Sequence, residues 1–235
     1  MKIITSKQRA IDIDLGNPLI AQWFARTQET QVEFILNQIN SERLYDAVLA
    51  DKEDFVILDF GANIGLFSLY AQDSAKHVYA IEPTPATLAV LRVMCQDNDK
   101  ITIIPAALSD HDGVIDFYIH DNPTINSVSV NQNGQQISVD AKTIETILKE
   151  NNLSHVDFVK CDIEGGEMSA ITELLLDPVV KKIDRWFVEV HQTNREQTAW
   201  PGNLQFNRQK LIDRFIKSGY QAVEITNDTI FAWQD

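Results

Sequence analysis

Two acidic residues at the ends of successive apolar runs mark the first candidate site. Asp59-Phe60-Gly61-Ala62-Asn63-Ile64-Gly65 closes the run that begins at Phe55, and Ala80-Ile81-Glu82-Pro83 closes the next. A glycine-rich turn after a buried strand lets a ligand approach the backbone, and the helix behind it presents free N–H groups. A carboxylate at the end of the second strand can accept both hydroxyls of a ribose. Two nucleotide classes compete for such a turn. A dinucleotide fold needs Gly-x-Gly-x-x-Gly, which from Gly61 places glycine where this chain has Asn63 and Leu66. A phosphate-cradling loop needs a Lys-Ser/Thr pair after its glycines, and none follows Gly65. Asp59 suits a cationic amino group rather than a pyrophosphate. S-adenosylmethionine (AdoMet) meets these demands with a sulfonium, an amino-acid tail, a ribose, an adenine and no phosphate. A tight strand–helix turn with a solvated Glu82 is the plain structural alternative; it accounts for the glycines but not for both acids at strand ends.

A second set of reactive types lies downstream. Asp162 and Glu164 stand two apart at the end of another apolar run, so they rim one crevice whether the chain stays extended or turns. Gly165-Gly166 permits a sharp turn, and Glu167 falls in the first turn of a helix, where negative charge is favourable. His191 ends the following run, Val188-Glu189-Val190-His191. An imidazole there can accept the proton of a hydroxyl, help typically worth about 10²–10⁴-fold. The alternative is a polar strand-end group bonded to Glu189 or to a loop. The same carboxylates and imidazole also suit a divalent cation. Sequence spacing gives no ligand distances, however, so a divalent metal is possible but not favoured and no metal ligand is assigned.

These residues need a scaffold that brings strand ends together. Residues 17–50 read as helical, with apolar stripes at Leu19, Ile20, Trp23 and Phe24, at Val32, Ile35, Leu36 and Ile39, and at Leu44, Val48 and Leu49. Asn17-Pro18 reads as a cap and first helical position, and Ser41 as a second cap. From Asp54 the period changes. Runs at 55–60, 77–82, 101–104, 156–161 and 183–190 are continuous and apolar, as expected for strands covered on both faces. Helices are expected at 66–71, 85–96, 143–149, 167–176 and 211–217. Residues 111–140 read as antiparallel pieces, and 220–233 as a closing hairpin around Asn227-Asp228. Strands alternating with helices imply an α/β doubly wound, mostly parallel sheet with a C-terminal antiparallel hairpin. A helical cap over 1–53 would precede a single compact cofactor-binding unit over 54–235.

The motifs, taken together, resemble the FkbM family of AdoMet-dependent methyltransferases. Asp59 to Ser68 is similar to that family's first motif, and Ala80-Ile81-Glu82-Pro83-Thr84-Pro85 to its Glu-Pro motif. Pro105-Ala106-Ala107-Leu108-Ser109-Asp110 with Gly113 resembles its adenine-side segment. Val159-Lys160-Cys161-Asp162-Ile163-Glu164-Gly165-Gly166-Glu167 resembles its Lys-x-Asp-x-Glu-Gly-x-Glu block, and Val188 to His191 its fifth-strand ending. The resemblance covers about residues 50–191. It implies a Rossmann-like seven-stranded methyltransferase fold, AdoMet as donor and usually O-methylation. On that reading Asp59 and the Gly61, Ala62, Asn63 and Gly65 turn hold the amino-acid end, Glu82 with Pro83 the ribose, and Ala107 and Leu108 the adenine. Asp162, also at the cofactor, acts with His191 and Glu164 on the acceptor, expected to be a small-molecule or glycan hydroxyl. An NAD-dependent oxidoreductase on a similar sheet and a non-catalytic nucleoside- or sugar-binding module are the alternatives. Trp200, in the polar stretch 192–205, is a candidate platform for an acceptor ring; Trp23, Trp186 and Trp233 sit in apolar runs and read as core.

Composition narrows the partners. The 235 residues carry 20 basic and 34 acidic side chains, a net charge of −14. Nucleic-acid backbones and anionic membrane surfaces, both bound through Lys and Arg, are therefore not expected partners. Cys95 and Cys161 lie in apolar runs and read as reduced, buried thiols. No secretory h-region opens the chain, and a cytoplasmic location is expected. Sequence does not set the oligomeric state.

Overall fold

The computed structural model describes residues 1–27, 36–39, 44–128, 134–191 and 204–234. The segment expected to be a helical cap opens instead with two short antiparallel strands, β1 (Lys2–Ile4) and β2 (Ala10–Asp12). Arg9 ties this hairpin down with two hydrogen bonds to Asp73, of 2.6 and 3.1 Å. Helix α1 (Pro18–Arg26) begins where Asn17-Pro18 predicts it, with Asn17 Oδ1 accepting from Leu19 N. It ends at Thr27, whose N–H and hydroxyl both donate to the Trp23 carbonyl. Val32, Ile35 and the Ser41 cap lie outside the described residues, and α2 (Asp46–Leu49) closes the cap.

The α/β unit follows in the expected order. It comprises β3 (Phe55–Phe60), α3 (Leu66–Ala71), β4 (Ala75–Ile81), α4 (Pro85–Met94) and β5 (Ile101–Ile104). An inserted three-stranded sheet comes next, built from β6 (Ala107–Leu108), β7 (Gly113–Ile119) and β8 (Gln135–Lys142). Then come α5 (Ile144–Glu150), β9 (Phe158–Cys161), α6 (Glu167–Ala170), α7 (Glu173–Leu176), β10 (Arg185–Glu189), α8 (Leu204–Lys217), β11 (Gln221–Glu224) and β12 (Thr229–Trp233). The helix expected over 167–176 is two helices, broken at Ile171-Thr172. Arg214, reaching from α8, accounts for the break: its guanidinium donates to the Met168 and Ile171 carbonyls at 2.7 and 2.8 Å, satisfying groups that a continuous helix would have used itself.

The main sheet has seven strands in the order β11-β12-β10-β9-β3-β4-β5. All are parallel from β10 to β5, and β12 runs antiparallel to β10. Both faces are covered, which is why the strands carry continuous apolar runs. Ile57, Phe158 and Phe187 face one core with Trp23, Phe67 and Leu91. Their neighbours Leu58, Val159 and Trp186 face the other with Ile147, Leu211 and Phe215. Cys95 and Cys161 are both buried and unpaired with each other. The chain reverses its direction of travel across the sheet between β3 and β9, and a crevice opens beyond their carboxyl ends. The 59/160 and 60/161 pairs of that junction set the register of the site.

Candidate active site

The turn after β3 packs against the end of β9. Gly61 adopts φ +75°, and a Cβ added there would lie 1.7 Å from the Asp162 carbonyl oxygen. Only glycine fits. The N–H groups of Gly61 and Ala62 both donate to the Ile81 carbonyl, at 3.1 and 3.0 Å, so the turn is braced against β4. Glu82, at the end of β4, accepts from Asn63 N (3.2 Å) and Thr84 N (2.8 Å), one oxygen each. Burial pushes its carboxyl pKa up. It lines a cavity of about 290 Å³ together with Pro83, Ala107, Leu108 and Phe117.

Asp59 sits behind this wall. It is fully buried and does not line the cavity. Its Oδ2 accepts from the Ser68 hydroxyl at 2.6 Å, and its Oδ1 lies 3.7 Å from Lys160 Nζ. The register places Lys160 directly across from Asp59. Lys160 borders the cavity and donates to Asp162 Oδ2 at 3.1 Å, with the Gly61 carbonyl at 3.4 Å. Burial disfavours the Lys160 charge, but Asp162 and Asp59 outweigh it and the ammonium is held firmly protonated. Burial likewise disfavours the Asp162 carboxylate, yet Lys160 and then His191 keep its pKa below the ordinary value.

His191 stands at the centre of four carboxylates. Its Nδ1 is 3.0 Å from Glu167 Oε1, an oxygen that also accepts from Ile163 N and Gly165 N. Its Nε2 lies 3.5 Å from Glu164 and 3.8 Å from both Asp162 and Glu189. Both ring nitrogens thus face acceptors, which is the environment of an imidazolium. Burial opposes that charge, but Glu167, Glu164 and Asp162 carry the pKa well above the usual value. The ring is the counter-charge of the cluster. Asp162, Glu164 and His191 offer atoms within 4.8 Å of one another, so a cation and the ring proton would compete for the same counter-charge role. Burial pushes the Glu164 carboxyl up to about 8. Asp162's charge, then burial, pushes Glu189 up to about 7. Glu164 and Glu189 line the cavity and His191 does not. Glu164 is held at φ +55°, a left-handed conformation that costs a non-glycine residue of order 1–3 kcal/mol.

The cap forms the opposite wall. Trp23, Ile39 and Tyr45 line the cavity, and the Trp23 indole N–H is buried without a partner among the described residues. Arg26 fastens α1 to the inserted sheet by donating to the His120 and Asp121 carbonyls, at 3.2 and 3.1 Å. The connection that leaves β7 supplies Pro123, Asn126 and Val128 to the same cavity.

Residues 59–221 match the methyltransferase FkbM domain. The chain belongs to the FkbM methyltransferase family. It is similar to Methyltransferase 1 of Beauveria bassiana (strain ARSEF 2860), 28% identical over 65% of this chain and 74% of that protein. Methyltransferase sdnD of Sordaria araneosa is 26% identical over 60% of this chain and 68% of its own length. Among solved structures, magnesium protoporphyrin IX methyltransferase of Synechocystis PCC 6803 is 11% identical over 94% of this chain and 93% of that one, with a TM-score of 0.48.

This FkbM protein is an AdoMet-dependent methyltransferase with an AdoMet-binding fold. Its cavity carries groups of the chemistry that cofactor needs: a carboxylate, Glu82, anchored by two backbone N–H groups, an apolar wall of Ala107 and Leu108, and a buried Lys160–Asp162 pair beside the Gly61 turn. The structure brings Gly61, Ala62, Asn63, Glu82, Pro83, Ala107, Leu108, Asp162 and Glu164 into one wall. Asp59, Gly65 and His191 stand behind it. Gly65 cannot face inward because its turn packs on Leu91 and Cys95. Trp200 lies outside the described residues. Lys160 was overlooked as a site residue, although a lysine inside an apolar strand signals a buried charge that needs partners. Trp23 joins the cavity wall instead of serving as core alone, and no periodicity could have distinguished the two. No helix among the described residues is long and apolar enough to cross a membrane.

Proposed function

We propose that the chain transfers a methyl group from AdoMet to an oxygen of a small-molecule or glycan hydroxyl. AdoMet, when bound, supplies a methyl group on a cationic sulfur that is open to in-line displacement. Glu82 would accept the ribose hydroxyls, and Ala107 and Leu108 would flank the adenine. Gly61, Ala62 and Asn63 keep the wall thin enough for close approach. Glu164 and Glu189 would receive the acceptor hydroxyl, with His191 acting through them as a positioning residue.

The observation that carries the oxygen assignment is the pair of carboxylates, Glu164 and Glu189, that line the cavity within reach of one another's charge, with pKa values pushed up to about 8 and about 7. A hydroxyl nucleophile must give up a proton, and a base works best with a pKa near the working pH. Glu189 is the better matched base. Carboxylates sharing one cavity with the aromatic side chains Trp23 and Tyr45 also suit a polyhydroxylated acceptor.

The test is methyl transfer from labelled AdoMet into fractionated small molecules and glycans, followed by identification of the product. A methyl ether is expected. Label found only on nitrogen or carbon would refute the oxygen assignment.

A further inference from the structure

The chain buries a lysine beside the cavity with its hydrogen-bonding capacity unfilled. Lys160 is 7% exposed, and its ammonium has three donors. Only Asp162 Oδ2, at 3.1 Å, is at an ordinary distance; the Gly61 carbonyl is at 3.4 Å and Asp59 Oδ1 at 3.7 Å. A buried ammonium this poorly satisfied is costly. Asp162 is incomplete in the complementary sense. Its Oδ1 accepts no hydrogen bond among the described residues and lies 3.8 Å from His191 Nε2. The pair therefore offers the cavity one unfilled donor and one unfilled acceptor. An α-amino acid carries the matching groups, a carboxylate and an ammonium on a single carbon.

The sheet order supports the placement. Glu82 stands at the end of β4, and Ala107 and Leu108 lie beyond β5. Lys160 and Asp162 belong to β9 and its end, on the other side of β3. A ligand with its nucleoside at the first group has its amino-acid end at the second. We infer that Lys160 and Asp162 form a zwitterion clamp, Lys160 taking the cofactor's carboxylate and Asp162 its ammonium. Asp59, expected from sequence to bind that end directly, acts through Lys160 by holding the ammonium from behind. This rests on AdoMet occupying the cavity.

Calorimetry with truncated ligands tests the clamp without turnover. The probes are S-adenosylhomocysteine, its decarboxylated amine, and 5′-methylthioadenosine, which lacks both charged groups. Wild type should bind S-adenosylhomocysteine about tenfold or more tightly than the amine, the scale of one charge-assisted hydrogen bond. In Lys160→Met that ratio should fall toward one. In Asp162→Asn the ratio that collapses should be the amine's advantage over 5′-methylthioadenosine. A full carboxylate preference in folded Lys160→Met would overturn the clamp while leaving the cofactor reading intact. Equal binding of S-adenosylhomocysteine and the amine by wild type would overturn it even if neither variant folds. If wild type bound none of the three ligands, the cofactor reading would fall as well.

Discussion

Gly61→Ala offers the sharpest probe of how the site is built. An alanine at φ +75° pays a left-handed conformational cost of about 1–2 kcal/mol. Its Cβ would also stand 1.7 Å from the Asp162 carbonyl oxygen, whereas real contacts essentially never fall below 3.0 Å. The obstacle is backbone, so no side chain can swing aside. The ends of β3 and β9 must separate by more than about 1 Å, which strains the Asp162 N to Phe60 O bond of 3.0 Å and displaces Lys160 from Gly61. Losing that hydrogen bond adds about 1 kcal/mol, and the disturbed buried charge adds about as much again, for a total of about 3–4 kcal/mol. For a domain of this size each kcal/mol shifts Tm by roughly 2–4 °C, so a fall of about 10 °C is expected. Gly219→Ala supplies the control, because it has φ +97° and nothing within 4 Å of the added Cβ. It carries the conformational cost alone, about 2–8 °C on the same scale, and its Tm should fall by less than that of Gly61→Ala. Thermal unfolding of the two variants, with calorimetry of S-adenosylhomocysteine binding, separates collision from conformation. If Gly61→Ala is no less stable than Gly219→Ala and binds the nucleoside as wild type does, the β3–β9 contact does not shape the cavity.

Glu82→Ala should weaken S-adenosylhomocysteine by about 100-fold, the scale of one to two charge-assisted hydrogen bonds; calorimetric affinity equal to wild type would remove Glu82 from the ribose site. His191→Gln should move the rising limb of the pH–rate profile from near 7 upward by about a unit or more, because Glu189 and Glu164 lose their cationic neighbour. Loss of activity at every pH, with no displaced limb, would instead point to the imidazole as the base. Activity should survive dialysis against a strong chelator, with the His191 ring as the counter-charge of its four carboxylates; restoration of lost activity by Mg²⁺ or Mn²⁺ would place a cation in that role instead. At the hairpin, burial disfavours the Asp73 charge, but Arg9 and Thr5 hold its pKa below 3.8. Its stabilisation is therefore present above pH 3.8 and lost as pH falls through the lower folded value. Asp73→Asn should flatten this part of the acid-unfolding curve, and an unchanged curve would deny the hairpin its electrostatic anchor.

The strand-end acids were legible because their signal is local. A continuous apolar run announces a strand covered on both faces, and a polar residue at its end must fall on the rim. Glu82, Asp162 and Glu164 follow from that logic alone. Asp59 obeys the same logic and yet stands behind the wall. What distinguishes it is Ser68 in the following helix, which donates to one oxygen, and Lys160 on a strand about a hundred residues away, whose ammonium lies 3.7 Å from the other. The break in the helix over 167–176 has the same character, since it depends on Arg214 arriving from α8. Local pattern therefore located the rim, whereas long-range pairing decided which acids face inward.

That distinction bears on charge. The cavity end of the sheet gathers Asp59, Asp162, Glu164, Glu167 and Glu189 around two cations, Lys160 and His191. Each cation is shared: Lys160 bridges Asp59 and Asp162, and His191 meets the remaining three acids together with Asp162. Five acids held by two cations cannot all stay ionised at modest cost, and the strain appears where burial and Asp162 leave Glu164 and Glu189 half-titrated near neutrality. A ligand bringing a sulfonium and an ammonium would meet a site already short of positive charge, and an acceptor hydroxyl would meet carboxylates ready to take its proton. The same imbalance would thus favour the cationic donor and prepare the base, with Lys160 and His191 setting how the deficit is divided.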